Sequence, residues 1–243
     1  MRQRRFGSTD LVVSEVTFGA MRFAPGLKGE PDLVQGKRAL EAALAGGVDT
    51  IHSSYEYRTR YALSDVLRRH PRRASLHHVI KVTVPDYEDA AYDKAKFTGM
   101  IEEALRDLHT DRIAVVQHLQ RGVDKDIIYH ERGDPARLAA MPAVNEALLE
   151  VMAELRAAGK VGWLATFPHT PAFARAAVDS GTFDGMVAFF NLIETELYEL
   201  VPAMRARGMG FFTMRPFREG ILTDRRAHRA RLPADDPFGA AAF

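Results

Sequence analysis

A chain of 243 residues, 47% of them hydrophobic, is long enough to bury one large core. Its 33 basic and 32 acidic residues leave a net charge of +1, which offers nothing to nucleic acid or an anionic membrane. The absence of cysteine excludes disulfides, thiol chemistry and cysteine-type zinc sites, and no run approaches the roughly 18 apolar residues of a bilayer span.

The basic start, Met1 to Gly7, is not followed by an apolar run of signal-peptide length, so a cytoplasmic location is expected. The first predicted strand covers residues 12–18. A helix-period segment at 32–45 precedes a short strand at 50–52. A helix at 61–69, a strand at 78–82 and a helix at 94–108 follow, then a strand at 112–117. In the next helix, 143–158, Leu148, Leu149, Met152 and Leu155 recur at helical spacing, and Gly159 supplies the stop. Strands at 161–165, 185–189 and 210–214 alternate with helices at 171–180 and 194–206.

Strand–helix–strand repetition implies parallel strands with right-handed crossovers. No G-x-G-x-x-G follows the first strand, where Phe18-Gly-Ala-Met-Arg22 stands instead, so a TIM (β/α)8-type barrel is favoured over a Rossmann sheet. Seven barrel strands are counted. A last strand and its helices are expected to be absent, and residues 1–243 are read as a single domain. An unclosed barrel leaves two parallel edges, which invites pairing into a homodimer. Two long connections, 82–92 and 119–142, would follow strand C-termini. The second, carrying Asp124, Asp126, His130, Glu131, Arg132 and Asp134, is expected to act as a lid or substrate loop.

Tyr57 and Lys81 each fall at or just past a predicted strand end. A phenol beside an ammonium is a proton donor for a reacting carbonyl, and the ammonium should bring the tyrosine down from about 10. His52, His118 and His169 also follow strand ends, but nothing in their spacing supports a metal site. The basic run 225–231 carries no interleaved aromatics and reads as a solvated tail.

Phe6-Gly-Ser-Thr-Asp-Leu-Val-Val-Ser-Glu-Val-Thr-Phe-Gly-Ala-Met-Arg22 resembles the opening of the aldo-keto reductase family. Gly47 to Tyr57, Leu108 to Gln117, Gly159-Lys-Val, Phe190-Asn191-Leu and Met214 to Thr223 are similar to further family segments, in order. The resemblance implies a barrel that binds NADPH across its C-terminal face and reduces a small-molecule aldehyde or ketone. It implies Tyr57 as proton donor and Lys81 as its catalytic lysine. Asp49 is not the family aspartate, because it lies eight residues before Tyr57 rather than five. That position holds His52, which could orient Lys81 only when neutral. Each cation would lower the other, so Lys81 is expected to titrate nearer neutrality.

The family histidine falls on Leu119. Its neighbour His118 would point away on a regular strand, unless a bulge restores it; His118 and His52 are expected to orient the substrate or help relay the proton. Phe167, Pro168 and Val187 occupy the positions that usually clamp the nicotinamide carboxamide, and neither Phe nor Val can make those hydrogen bonds. Gly19, Ala20, Met21, Asn191, Arg215, Phe217, Gly220 and Leu222 remain as implied cofactor or ligand contacts. Two other readings stay open: a lyase or isomerase doing acid–base chemistry without nicotinamide, and a non-catalytic binding protein on the same scaffold.

Overall fold

The computed structural model describes residues 1–21, 33–57, 59–87, 89, 91–218 and 222. An antiparallel hairpin, β1 (Gln3–Arg5) and β2 (Val12–Ser14), precedes a parallel sheet. Among the described residues that sheet has seven strands in chain order: β3 (Thr17–Gly19), β4 (Thr50–Ser54), β5 (His77–Thr83), β6 (Ile113–Leu119), β7 (Val161–Thr166), β8 (Gly185–Phe189) and β9 (Gly210–Met214). Helices α1 (Leu33–Ala45), α2 (Arg60–Leu67), α3 (Lys94–Leu108), α4 (Asp134–Ala157), α5 (Pro171–Ser180) and α6 (Val201–Ala206) supply the crossovers. Sequential parallel order with a helix after each of six strands is the (β/α)8 pattern.

Alternation divides the strands between two cores. Ile51, Ile80, Val82, Val116 and Leu164 face outward against Leu40, Leu63, Phe97, Ile101, Leu148 and Met152 of the helices. Val79, Val115, Ala165 and Val187 face the lumen, where Phe6 packs with them. Phe6 stacks on Phe212 at 4.9 Å, so the hairpin plugs the lower end of the barrel. Glycine is required there, since a Cβ on Gly185 or Gly210 would come within 2.2 Å of the Phe6 ring.

The strand expected over 12–18 is two strands. Asp49 forces the break: its carboxylate accepts from Ser14 N at 2.7 Å, and Ser14 Oγ donates to Val16 O at 2.7 Å. Burial opposes ionisation of Asp49, but the Ser14 amide and the Thr50 hydroxyl hold its carboxyl below the usual range. The helix expected from 194 begins only at Val201, because Asn191 Oδ1 accepts from Ile193 N and Glu194 N and folds the chain into a turn.

The largest revision concerns 119–142. Its second part is helix, because α4 starts at Asp134 with proline in its first turn and continues through Pro142. The connection over the cavity is therefore 120–133. Side chains anchor the early turns: Thr170 Oγ1 donates to Asp134 Oδ1 at 2.8 Å, Gln120 Nε2 donates to Arg137 O at 2.9 Å, and Arg137 pairs with Asp134. These contacts offset the hydrogen bond that Pro142 cannot make.

Candidate active site

The C-terminal ends of the strands open onto a cavity of about 660 Å³ lined by residues from β3, β4, β5, β8 and β9 and the loops above the strands. A second cavity, of about 570 Å³, lies at the opposite end around Asp10, His77, Asp111 and Trp163, and contains neither Tyr57 nor Lys81. In TIM-type barrels the chemistry belongs at the C-terminal end.

β4 is buried throughout and ends in a 3₁₀ turn, Tyr55–Tyr57, which carries Tyr57 back over the lumen. On the neighbouring strand Lys81 is paired in register with Ser54, so its side chain enters the same space. Lys81 Nζ lies 5.0 Å from the Tyr57 ring centroid. Tyr57 is 8% exposed and Lys81 7%. The Tyr57 hydroxyl has no hydrogen-bond partner among the described residues.

The expected effect on the tyrosine is reversed. Burial, then the Glu56 carboxylate, push the Tyr57 phenol well above its ordinary value. Lys81 meets the face of the ring, and its charge is already met by Glu56, with which it forms an ion pair. The same carboxylate takes Arg121 Nη2 at 2.5 Å, and Arg121 Nη1 reaches Asp86 Oδ1 at 2.8 Å. Tyr55 Oη donates to Asp86 Oδ2 at 3.2 Å, and Tyr87 lies under the guanidinium at 4.2 Å. Burial draws the Lys81 ammonium below its ordinary value, and Glu56 offsets part of that. Burial works against the Glu56 carboxylate, but Lys81 and Arg121 hold it below the usual range. Each charge thus favours the other against the cost of burial.

His52 does not pair with Lys81. Its Nε2 sits 2.5 Å from Gln117 Oε1, which assigns the Nε2–H tautomer, while Gln117 Nε2 is buried without a partner among the described residues. Burial pushes His52 down to about 4, with Lys81 adding to the shift, so it is neutral. His118 lies on the other face of β6. Its Nε2 is 2.6 Å from Val84 O, and its ring packs among Tyr92, Phe97 and Phe183 behind the sheet. No bulge turns it inward, so it and His52 are not brought together.

Burial also pushes His78 and His118 down to about 4. Each of these three groups is neutral when folded and titrates at about 6.5 when unfolded. Their stabilisation is present above about pH 6.5 and lost as pH falls toward 4. A urea midpoint at pH 5 should lie well below that at pH 7, with each histidine costing on the order of 1–2 kcal/mol by linkage. A midpoint unchanged between the two would contradict their burial as neutral groups.

The opposite wall is aromatic. Phe167 and Phe189 meet edge to face at 5.4 Å, His169 packs between Phe167 and Tyr129, and Arg215 stacks over Phe189 at 3.9 Å. Gly19, Met21 and Arg215 line the cavity with Val187, Phe212 and Met214. Ala20 is fully buried and anchors to β4, its N–H donating to His52 O at 3.0 Å. Asn191 works from behind: its Nδ2 donates to Arg215 O at 3.0 Å and holds the turn that presents the arginine. Phe217 is 61% exposed, and it and Leu222 lie away from the cavity lining, while Gly220 lies outside the described residues.

The family model for the aldo/keto reductases matches residues 15–237. This chain belongs to the aldo/keto reductase family. No curated protein gives a significant match. Among solved structures, a Pseudomonas aeruginosa protein assigned to the aldo-keto reductases is 25% identical, with a TM-score of 0.63 over 86% of this chain and 76% of that one. The aldo-keto reductase from Bacillus halodurans, in its holo form, has a TM-score of 0.70 at 18% identity. It covers 98% of this chain and 80% of its own, and that likeness concerns the fold.

The structure brings Tyr57 and Lys81 to one corner of the cavity with His52 nearby, and leaves His118 outside it. Sequence reasoning missed Glu56, Gln117, Arg121 and the ring of Phe189. Glu56 had a usable signal, an acid directly before Tyr57 at a strand end. Gln117 had another, since alternation faces it inward when His118 faces out. Arg121 had none, because its contacts cross from the loop after β6 to those after β4 and β5.

Proposed function

We propose that this aldo/keto reductase reduces an aldehyde or ketone on a small molecule with NADPH, Tyr57 delivering the proton and Lys81 assisting. The observation that supports this reading most is the convergence of the Tyr57 ring and the Lys81 amine, 5.0 Å apart, in one buried corner of a cavity at the strand C-termini.

The cavity suits a flat ring with anionic groups attached. Phe167, Phe189, Phe212 and Met214 offer an apolar wall, and Lys125 and Arg215 offer positive charge at its edge. The ring would be held by that wall rather than by hydrogen bonds to a carboxamide, because Phe167 and Val187 carry no polar group. Bound there, NADPH supplies a hydride. Tyr57 Oη gives its proton to the substrate oxygen as charge develops on it, and the Lys81 ammonium opposes the charge left on the phenol. Desolvation by the aromatic wall strengthens both effects. Since Tyr57 is pushed up and Lys81 down, the alkaline fall in rate reports loss of the lysine charge, not loss of the tyrosine proton.

Titration with NADPH, followed by its fluorescence, tests the reading. Saturable binding below about 100 μM, within the usual range of substrate affinities, supports it. No binding at millimolar NADPH overturns it and favours the acid–base enzyme without nicotinamide. The apolar residues in place of the carboxamide clamp are what keep that second reading in view.

A further inference from the structure

The family resemblance places an acid at residue 52, where this chain has histidine, and that histidine is occupied by Gln117. The lysine nevertheless has a carboxylate. We propose that Glu56 is the positioning residue and counter-ion of Lys81, and that through Arg121 it ties the charge on the lysine to the loop over the cavity. This rests on the reductase reading for its consequence in turnover, but not for its geometry.

The arrangement follows from the turn after β4. Tyr55–Tyr57 is a single 3₁₀ turn, so Glu56 and Tyr57 move as one unit. An ion pair from Glu56 to Lys81 therefore sets the distance between tyrosine and lysine, which a carboxylate on β4 itself would do less directly. Glu56 has two oxygens and uses both, one on Lys81 and one on Arg121 at 2.5 Å. Arg121 is in turn fixed by Asp86, and by its own N–H donating to Pro85 O at 2.9 Å. The chain from lysine to loop is thus continuous and largely buried, where ion pairs act at closer to their full strength.

The charged and titratable groups facing Lys81 are Glu56 and Tyr57 on the turn, His52 on β4, Asp86 after β5, Arg121 after β6 and His169 after β7. Of these, Glu56 and Asp86 favour the ammonium and Arg121 disfavours it. His52 and His169 are neutral. Removing Glu56 and removing Arg121 should consequently move Lys81 in opposite directions, which a merely structural role for the cluster would not produce.

The test is a ¹³Cε-lysine NMR titration of the full chain, the Lys81 signal being assigned from the spectrum of Lys81→Met among seven lysines. Glu56→Gln should lower the Lys81 midpoint by about one pH unit or more, and Arg121→Met should raise it. Glu56→Asp should fall between wild type and Glu56→Gln. Adding His52→Asp to Glu56→Gln should restore at least half of the shift. Where turnover is measurable, the alkaline limb of the rate–pH profile should move with the NMR midpoint. A Lys81 midpoint unmoved in Glu56→Gln, or moved in the same direction by both variants, overturns the proposal. Should Glu56→Gln not fold, the Arg121→Met and Glu56→Asp titrations decide alone. Absence of NADPH turnover would count against the reductase reading and leave the NMR result standing.

Discussion

Tyr57→Phe should lower turnover by about 10²- to 10⁴-fold, the usual contribution of a positioned general acid, while leaving KM and NADPH affinity near wild type. The variant keeps the ring that packs against Lys81 and removes only the hydroxyl. That hydroxyl has no hydrogen-bond partner among the described residues, so folding stability should change by less than about 0.5 kcal/mol. The two readouts together isolate the chemistry. A drop in kcat and kcat/KM of equal size marks an interaction made in the transition state. Steady-state kinetics on any aldehyde the enzyme accepts, alongside a thermal melt, checks both. Retained turnover would remove Tyr57 from the reaction, and a matching loss of stability would make it a packing residue.

Asp134→Ala should cost roughly 3–5 kcal/mol of folding stability, the range for removing one partner of a buried ion pair. Arg137 is 1% exposed and Asp134 4%. The guanidinium lies 4.7 Å over the Phe173 ring and has no route to solvent once the carboxylate is gone. Thr170 loses its acceptor in the same change. Arg137→Met with Asp134→Leu should recover most of the loss, because two apolar side chains of similar volume leave no charge behind. Chemical denaturation of the three chains measures this. A single variant as stable as wild type would mean that the pair is not buried in solution.

These residues show where sequence reasoning stops. Asp134 and Arg137 sit in a stretch that reads as a polar lid, because Pro142 looks like a helix boundary. The helix runs through it on the strength of contacts from Gln120 and Thr170, residues on two other elements. The order of strands and helices was legible because each keeps its own period. The strand 185–189 and the helix 171–180 fall where their apolar patterns place them. The break at Glu15, by contrast, depends on Asp49, 35 residues away from the Ser14 it binds.

The candidate site divides the same way. Local pattern was enough to put Tyr57 and Lys81 at the ends of neighbouring strands, but His118, expected to join them, is turned away because its strand stays regular. Periodicity along one strand carries the first point, so no contact from elsewhere is needed for it. Which carboxylate faces the lysine, and in which direction the tyrosine shifts, depend on burial and on distances between elements remote in the chain. Sequence alone put His52 in the place of an acid and left Lys81 without a counter-charge. Only the fold brings in Glu56, and only the fold shows that burial and the Glu56 carboxylate raise Tyr57.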